Sequence, residues 1–164
     1  MRVFNETQRF NQWWLWLLLL AILGLVIYQS YHHFSNFEES VKNSVGLIIG
    51  IFTIVPVILL FVSMRLITAI DEVGIHYQFI PFQFSKKTIR WSEIIECYIR
   101  KYKPISEYGG WGFRGTFSKN KAYNVRGNKG IQIELKTKEK ILIGTQNEKE
   151  VEQVIHRYFN KGNE

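Results

Sequence analysis

The chain has 164 residues, one cysteine and a formal net charge of +7, which leaves room for a membrane hairpin plus one domain of about 100 residues, not two soluble domains. The single cysteine, Cys97, excludes an internal disulfide and a cysteine-based zinc site within the chain. Mean hydropathy near zero hides a split, because two apolar runs come early and the whole positive excess lies in residues 65–164.

Residues 1–12 are polar and carry Arg2 and Arg9. The run WWLWLLLLAILGLVIY follows, with Trp13, Trp14 and Trp16 at one end and Tyr28 and Tyr31 at the other, as interfacial aromatic belts require. Positive charge before a leucine block also suits a secretory signal, but no small-x-small cleavage site follows, so an uncleaved span is expected. The second run, Val45 to Met64, contains no charge and ends at Arg65. Its helix would measure roughly 30 Å, the depth of a bilayer's hydrocarbon core.

The connector between the runs has one basic residue, Lys42, while Arg2, Arg9, Arg65, Lys86, Lys87 and Arg90 lie on the outer flanks. That bias places both termini in the cytoplasm of a multi-pass protein of the cell membrane. The expected divisions are a tail (1–12), a first transmembrane helix (13–31), an extracytoplasmic connector (32–44), a second transmembrane helix (45–64) and a cytoplasmic domain (65–164). Gly46 and Gly50 form a small-xxx-small pair that Gly24 could face, either within the hairpin or against another protein's helix. His32 and His33 lack a third metal ligand and read as interfacial polar residues. Neither span contains an ionisable group, which argues against a transporter or pump.

Beyond Arg65 the apolar period becomes two. Strands are expected over LITAI (66–70), IHYQFIPF (75–82), KTIRW (87–91), IIECYIRKY (94–102), AYNV (122–125), GIQIELK (130–136) and KILIGT (140–145). Ile95, Cys97 and Ile99 are expected on one face, and Ile131, Ile133 and Leu135 on another. The ending is helical: Val151, Val154, Ile155, Tyr158 and Phe159 make one apolar stripe, with Thr145/Glu148 or Asn147/Glu150 as a capping box and Gly162 as a stop. A small barrel closed by that helix would bury the stripe.

Residues Lys103 to Asn120 form a long aromatic and glycine-rich connection. Gly110, Gly112 and Gly115 fit the spacing of a dinucleotide fingerprint, but the following TFSKNKAYNV is loop and strand where the fingerprint needs a helix. Tyr108, Gly109, Gly110, Trp111, Gly112 and Arg114 are the candidate ligand or membrane contacts. Arg114 could hold a phosphate or carboxylate by two parallel hydrogen bonds. The competing reading is a bulged strand edge whose aromatics complete the core. Lys119, Lys121, Arg126 and Lys129 form a basic patch better suited to solvent or headgroups than to nucleic acid. Cys97 reads as a buried thiol, while His76 and His156 show no nearby acid or cysteine arrangement implying a triad. No catalytic, metal or cofactor site is therefore expected.

The stretches FNETQRFNQWWLW, GIHYQFIPF, TIRWSEI, YGGWGFR and GIQIELK…ILIGTQ resemble an uncharacterised family of bacterial membrane proteins with a pleckstrin-homology-like domain. The resemblance implies a transmembrane hairpin followed by a seven-stranded bent β-barrel capped by a C-terminal helix, with no enzyme activity. The expected role is a membrane-anchored interaction or scaffold module. Its partners would be the lipid bilayer itself and anionic lipid headgroups or a membrane protein. The alternative is an accessory subunit packing through Gly46 and Gly50.

Overall fold

The computed structural model describes residues 4–32, 37–115 and 119–160, with the side chains of residues 30–47 and 160 outside the description. Two compact units emerge, one of residues 1–10 and 64–164, the other of residues 11–63.

The first unit holds nine strands among the described residues. Sheet one is the antiparallel series β1 (Phe4–Arg9), β2 (Arg65–Ile70), β3 (Gly74–Ile80) and β4 (Lys87–Arg90). Alternation explains its inner face, since Leu66, Ile70, Ile75 and Phe79 are fully buried. At Gly74 the strands come so close that a Cβ would sit 2.0 Å from the Ile89 carbonyl oxygen. Sheet two contains β5 (Ile94–Lys101), β6 (Gly112–Arg114), β7 (Asn120–Asn124), β8 (Lys129–Leu135) and β9 (Lys140–Gly144), in the spatial order β5-β8-β9-β7-β6. Among the described strands only β7 and β9 pair in parallel. Tyr77 of β3 meets Tyr123 of β7 with ring centroids 4.7 Å apart, joining the two sheets through their cores.

The strand β1 was not among the expected strands. It pairs with β2 along its length, Phe4 opposite Ile70 and Arg9 opposite Arg65. Residues 10–64 are thus the connection of a β-hairpin. A seven-stranded barrel is corrected accordingly to nine strands in two sheets, the first of them preceding the apolar runs. Trp91, expected to end a strand, instead opens one 3-10 turn, Trp91–Glu93. The turn aims Trp91 at the C-terminal segment, where its ring stacks on Tyr158 at 6.4 Å and meets Phe159 at a tilt, 6.0 Å away.

A bulge between Ile94 and Glu96 moves the inward set of β5. Ile94 and Cys97 are buried and Ile95 is exposed, so Ile95 and Cys97 do not share a face. In β8, Ile131 and Ile133 are buried as the alternation requires, but Gln132 is buried as well. The closing helix α4 (Glu148–Ile155) buries Val151, Val154 and Ile155 and runs into one π turn, His156–Asn160. Its N-cap is Asn147, with no side-chain capping bond; Thr145 Oγ1 instead accepts the Asn147 amide at 3.1 Å. The expected stop, Gly162, lies outside the described residues.

In the second unit the apolar runs form α1 (Trp13–His32) and α2 (Phe37–Ser63), packed on one another. A Cβ at Gly50 would lie 2.6 Å from Val26 Cγ1, so Gly50 is where α2 approaches α1. Gly24 has nothing within 4 Å of its Cβ position, and Gly46 falls outside the residues whose side chains are described. His33 also lies outside the description, as does the side chain of His32.

Among the described residues no helix is long and apolar enough to cross a membrane. The expected transmembrane hairpin is corrected on this ground, and with it the multi-pass placement in the cell membrane with both termini cytoplasmic. The hairpin does expose much apolar surface, including Leu17, Leu20, Leu25, Phe52 and Leu59.

Candidate functional site

The connection after β5 is organised by its two ends. Pro104 opens the five-residue helix α3 (Pro104–Tyr108), and Gly109 closes it with φ 71°, the left-handed conformation that glycine adopts without a Cβ clash. Gly112 then donates its amide to Asn124 Oδ1 at 2.8 Å, which fixes β6 on β7. The residues after Gly110 enter a strand, so the dinucleotide spacing has no helix to serve. Phe113 stacks on Tyr123 at 4.9 Å and 10°, as the strand-edge reading expects. Trp111 is half-buried, and its Nε1 donates to the Gly127 carbonyl at 3.0 Å.

Arg114 is exposed and lines a cleft of about 470 Å³ with Arg100, Glu107, Tyr108, Gln132 and Lys140. The pairing order β5-β8-β9 brings Arg100, Gln132 and Lys140 to the same cleft, while α3 and β6 supply Glu107, Tyr108 and Arg114. Arg100 is held on three sides: its Nη2 donates to Glu107 Oε2 at 2.7 Å and Tyr108 Oη at 3.1 Å, and its Nε to Gln132 Oε1 at 2.9 Å. The hydrogen bond with Glu107 raises the Arg100 pKa, and the guanidinium keeps the Glu107 carboxyl below its ordinary range. Burial raises the Tyr108 phenol. Lys140 bonds to Glu134.

Arg114 differs from these neighbours. Its Nε donates to the Trp111 carbonyl at 3.2 Å, and it makes no ion pair among the described residues. One cation in the cleft therefore lacks a carboxylate, and its planar fork can receive an anionic oxygen pair. Gly109, Gly110 and Gly112 shape the backbone beside it rather than lining the cleft. Of the expected basic patch, Lys121 pairs with Glu139 at 3.2 Å and Lys129 with Glu148, so only part of that charge is unopposed.

A side-chain chain missed in the sequence runs through His76. Its Nε2 lies 3.0 Å from Asp71 Oδ2 and its Nδ1 2.8 Å from Thr88 Oγ1. The order acid–imidazole–hydroxyl is that of a hydrolase triad. Asp71 also accepts the amides of Val73 and Gly74, so the three groups staple the β2–β3 turn to β4. Burial raises the Asp71 pKa, but bonds from His76 and both amides outweigh it and leave the carboxyl lowered. The register that pairs His76 with Thr88 was the missing signal.

Burial pushes the Cys97 thiol up to about 12, which removes the thiolate that nucleophilic chemistry needs. We expect iodoacetamide at pH 8 to alkylate Cys97 in the folded chain at least about a thousandfold more slowly than a free cysteine. Unfolding in guanidinium should restore ordinary reactivity. Rapid labelling of the native chain would contradict this environment. Among the described residues no group of three His, Cys, Asp or Glu side chains is placed to hold a metal ion.

Fold and cleft together define a mainly-β module with an interrupted first hairpin and a polar cavity in which, among the described residues, the Arg114 guanidinium has no carboxylate partner. No protein-family model and no characterised protein matches this chain.

Proposed function

We propose that the chain is a non-catalytic interaction module that takes an anionic group, such as a phosphate or carboxylate, in the cleft beside Arg114. The observation that carries this reading is the contrast between Arg100, neutralised by Glu107, and Arg114, which lacks a carboxylate partner among the described residues. Catalysis finds less support, since the Cys97 thiol is buried and His76 is tied into a turn. The subunit alternative rested on Gly46 and Gly50 receiving a foreign helix; Gly50 is already occupied by Val26 of the same chain.

The test is a thermal melt of the full chain in non-ionic detergent with inorganic pyrophosphate as the probe. At tenfold excess over its dissociation constant, a bound anion should raise the melting temperature by about 5 °C or more. Arg114→Glu should abolish the shift, while Arg126→Glu, on the exposed turn before β8, should retain it. Equal shifts in both variants would reduce the effect to general basicity and overturn the cleft as the site.

A further inference from the structure

The turn between β3 and β4 displays its aromatics to solvent. Phe84 is 97% exposed and Phe82 50%. This is not a frayed loop. Gln83 is buried, its Oε1 accepts the Phe79 backbone amide at 3.0 Å, and its backbone N–H donates to the Phe79 carbonyl at 2.8 Å. Gln78 Nε2 then donates to the carbonyls of Gln83 and Phe84, each at 3.1 Å. Phe82 leans on Phe79 with centroids 6.0 Å apart. The turn is thus braced from beneath by four hydrogen bonds and a ring stack, with Phe84 held at its tip.

The charged residues that flank it in sequence and in strand register are basic. Lys86 and Lys87 follow directly and are exposed. Ile80 pairs with Arg65, and Arg65 with Arg9, so two exposed arginines lie at the same end of sheet one. From Val73 to Ser92 the sequence contains no acidic residue.

We propose that the Phe82–Lys87 turn is a contact site for an anionic lipid surface, with Phe84 entering the headgroup–acyl boundary and Lys86, Lys87, Arg65 and Arg9 meeting the phosphates. A protruding aromatic without neighbouring walls gains from a fluid interface, which needs no shape complementarity, whereas a protein groove does. Basic side chains around an apolar tip bring the charge match that such surfaces reward. The site shares no lining residue with the Arg114 cleft, although Phe82 packs on Phe113 at 6.5 Å, and does not depend on that cleft's ligand.

The experiment places an environment-sensitive fluorophore at position 84 of the full chain through Phe84→Cys, Cys97 being buried. A second preparation carries it at Val73→Cys, in the exposed β2–β3 turn at the opposite end of the sheet. Each is transferred from detergent to phosphatidylcholine vesicles containing about one-third phosphatidylglycerol, with spin-labelled lipid as quencher. The position-84 label should be quenched and the position-73 label should stay in water. Adding Lys86→Glu and Lys87→Glu should weaken that quenching by at least about fivefold, as should replacing the anionic lipid. An unquenched label at 84, equal quenching at both positions, or indifference to the charge reversals would each overturn the site.

Discussion

Replacing residues 11–63 by an Asn-Gly turn should yield a folded, monomeric protein in detergent-free buffer, whereas the full chain should self-associate under the same conditions. The register places Arg9 directly opposite Arg65, so the two strand ends are already as near as hairpin partners are. A two-residue turn closes such a gap with the twist that antiparallel strands prefer. Phe10 and Met64 are both buried and would be retained. Shortening the connection also lowers its closure entropy, at about 0.6 kcal/mol per halving, for a gain of up to about 2 kcal/mol. The full chain faces the opposite problem. Its hairpin exposes a run of large apolar side chains, among them Phe52 at 79%, and continuous apolar surface of that kind is covered in stable assemblies. Sedimentation velocity of both proteins, with and without detergent, checks the expectation. A monodisperse full chain without detergent would remove the need for any cover, and an unfolded spliced chain would make residues 11–63 part of the domain's own stability.

The same β1–β2 pairing shows where sequence reading reached its limit. Regular alternation was legible because one buried face selects it: Ile75, Tyr77 and Phe79 in β3, and Ile131 with Ile133 in β8, point as their spacing requires. The stripe of Val151, Val154 and Ile155 was legible for the same reason in a helix. In β1 the inward set is Phe4, Glu6 and Gln8, two of them polar, and its partner lies beyond two apolar helices. No local hydrophobic pattern can announce such a strand. The bulge at Ile94–Glu96 is likewise silent in a run where isoleucines occupy both faces. Of the cleft, Tyr108 and Arg114 stood out by composition, but Arg100, Gln132 and Lys140 are united by a strand order that does not follow the sequence. The expected membrane-spanning hairpin rested on apolar composition alone, whereas among the described residues no helix is both long and apolar enough to cross a membrane.

Glu6 is the residue whose loss should cost the domain most for a single polar substitution. It is 8% exposed, and its Oε2 accepts Thr145 Oγ1 while its Oε1 accepts the Gln146 amide, both at 2.8 Å. Gln8 extends the seam, donating from Nε2 to the Gly144 carbonyl at 2.6 Å. β1 is thereby bonded to the end of β9 and the approach to α4, some 140 positions later in the chain. Glu6→Ala strands a buried hydroxyl and a partly buried amide. At about 1.5–3 kcal/mol for a hydrogen bond to a charged group, and more where a donor is left unmade, the loss should be about 3 kcal/mol. For a domain of roughly 100 residues that lowers the melting temperature by about 10–20 °C. Glu6→Gln keeps one acceptor oxygen and should recover more than half of the difference. Because Thr145 Oγ1 also accepts the Asn147 amide, the N-cap of α4 should loosen with it, and hydrogen exchange at Gln146 and Asn147 should accelerate before that of β8. A Glu6→Ala protein melting within about two degrees of the parent would mean that β1 rests on the domain without securing it, and that the interrupted hairpin contributes little to holding the C-terminal helix in place.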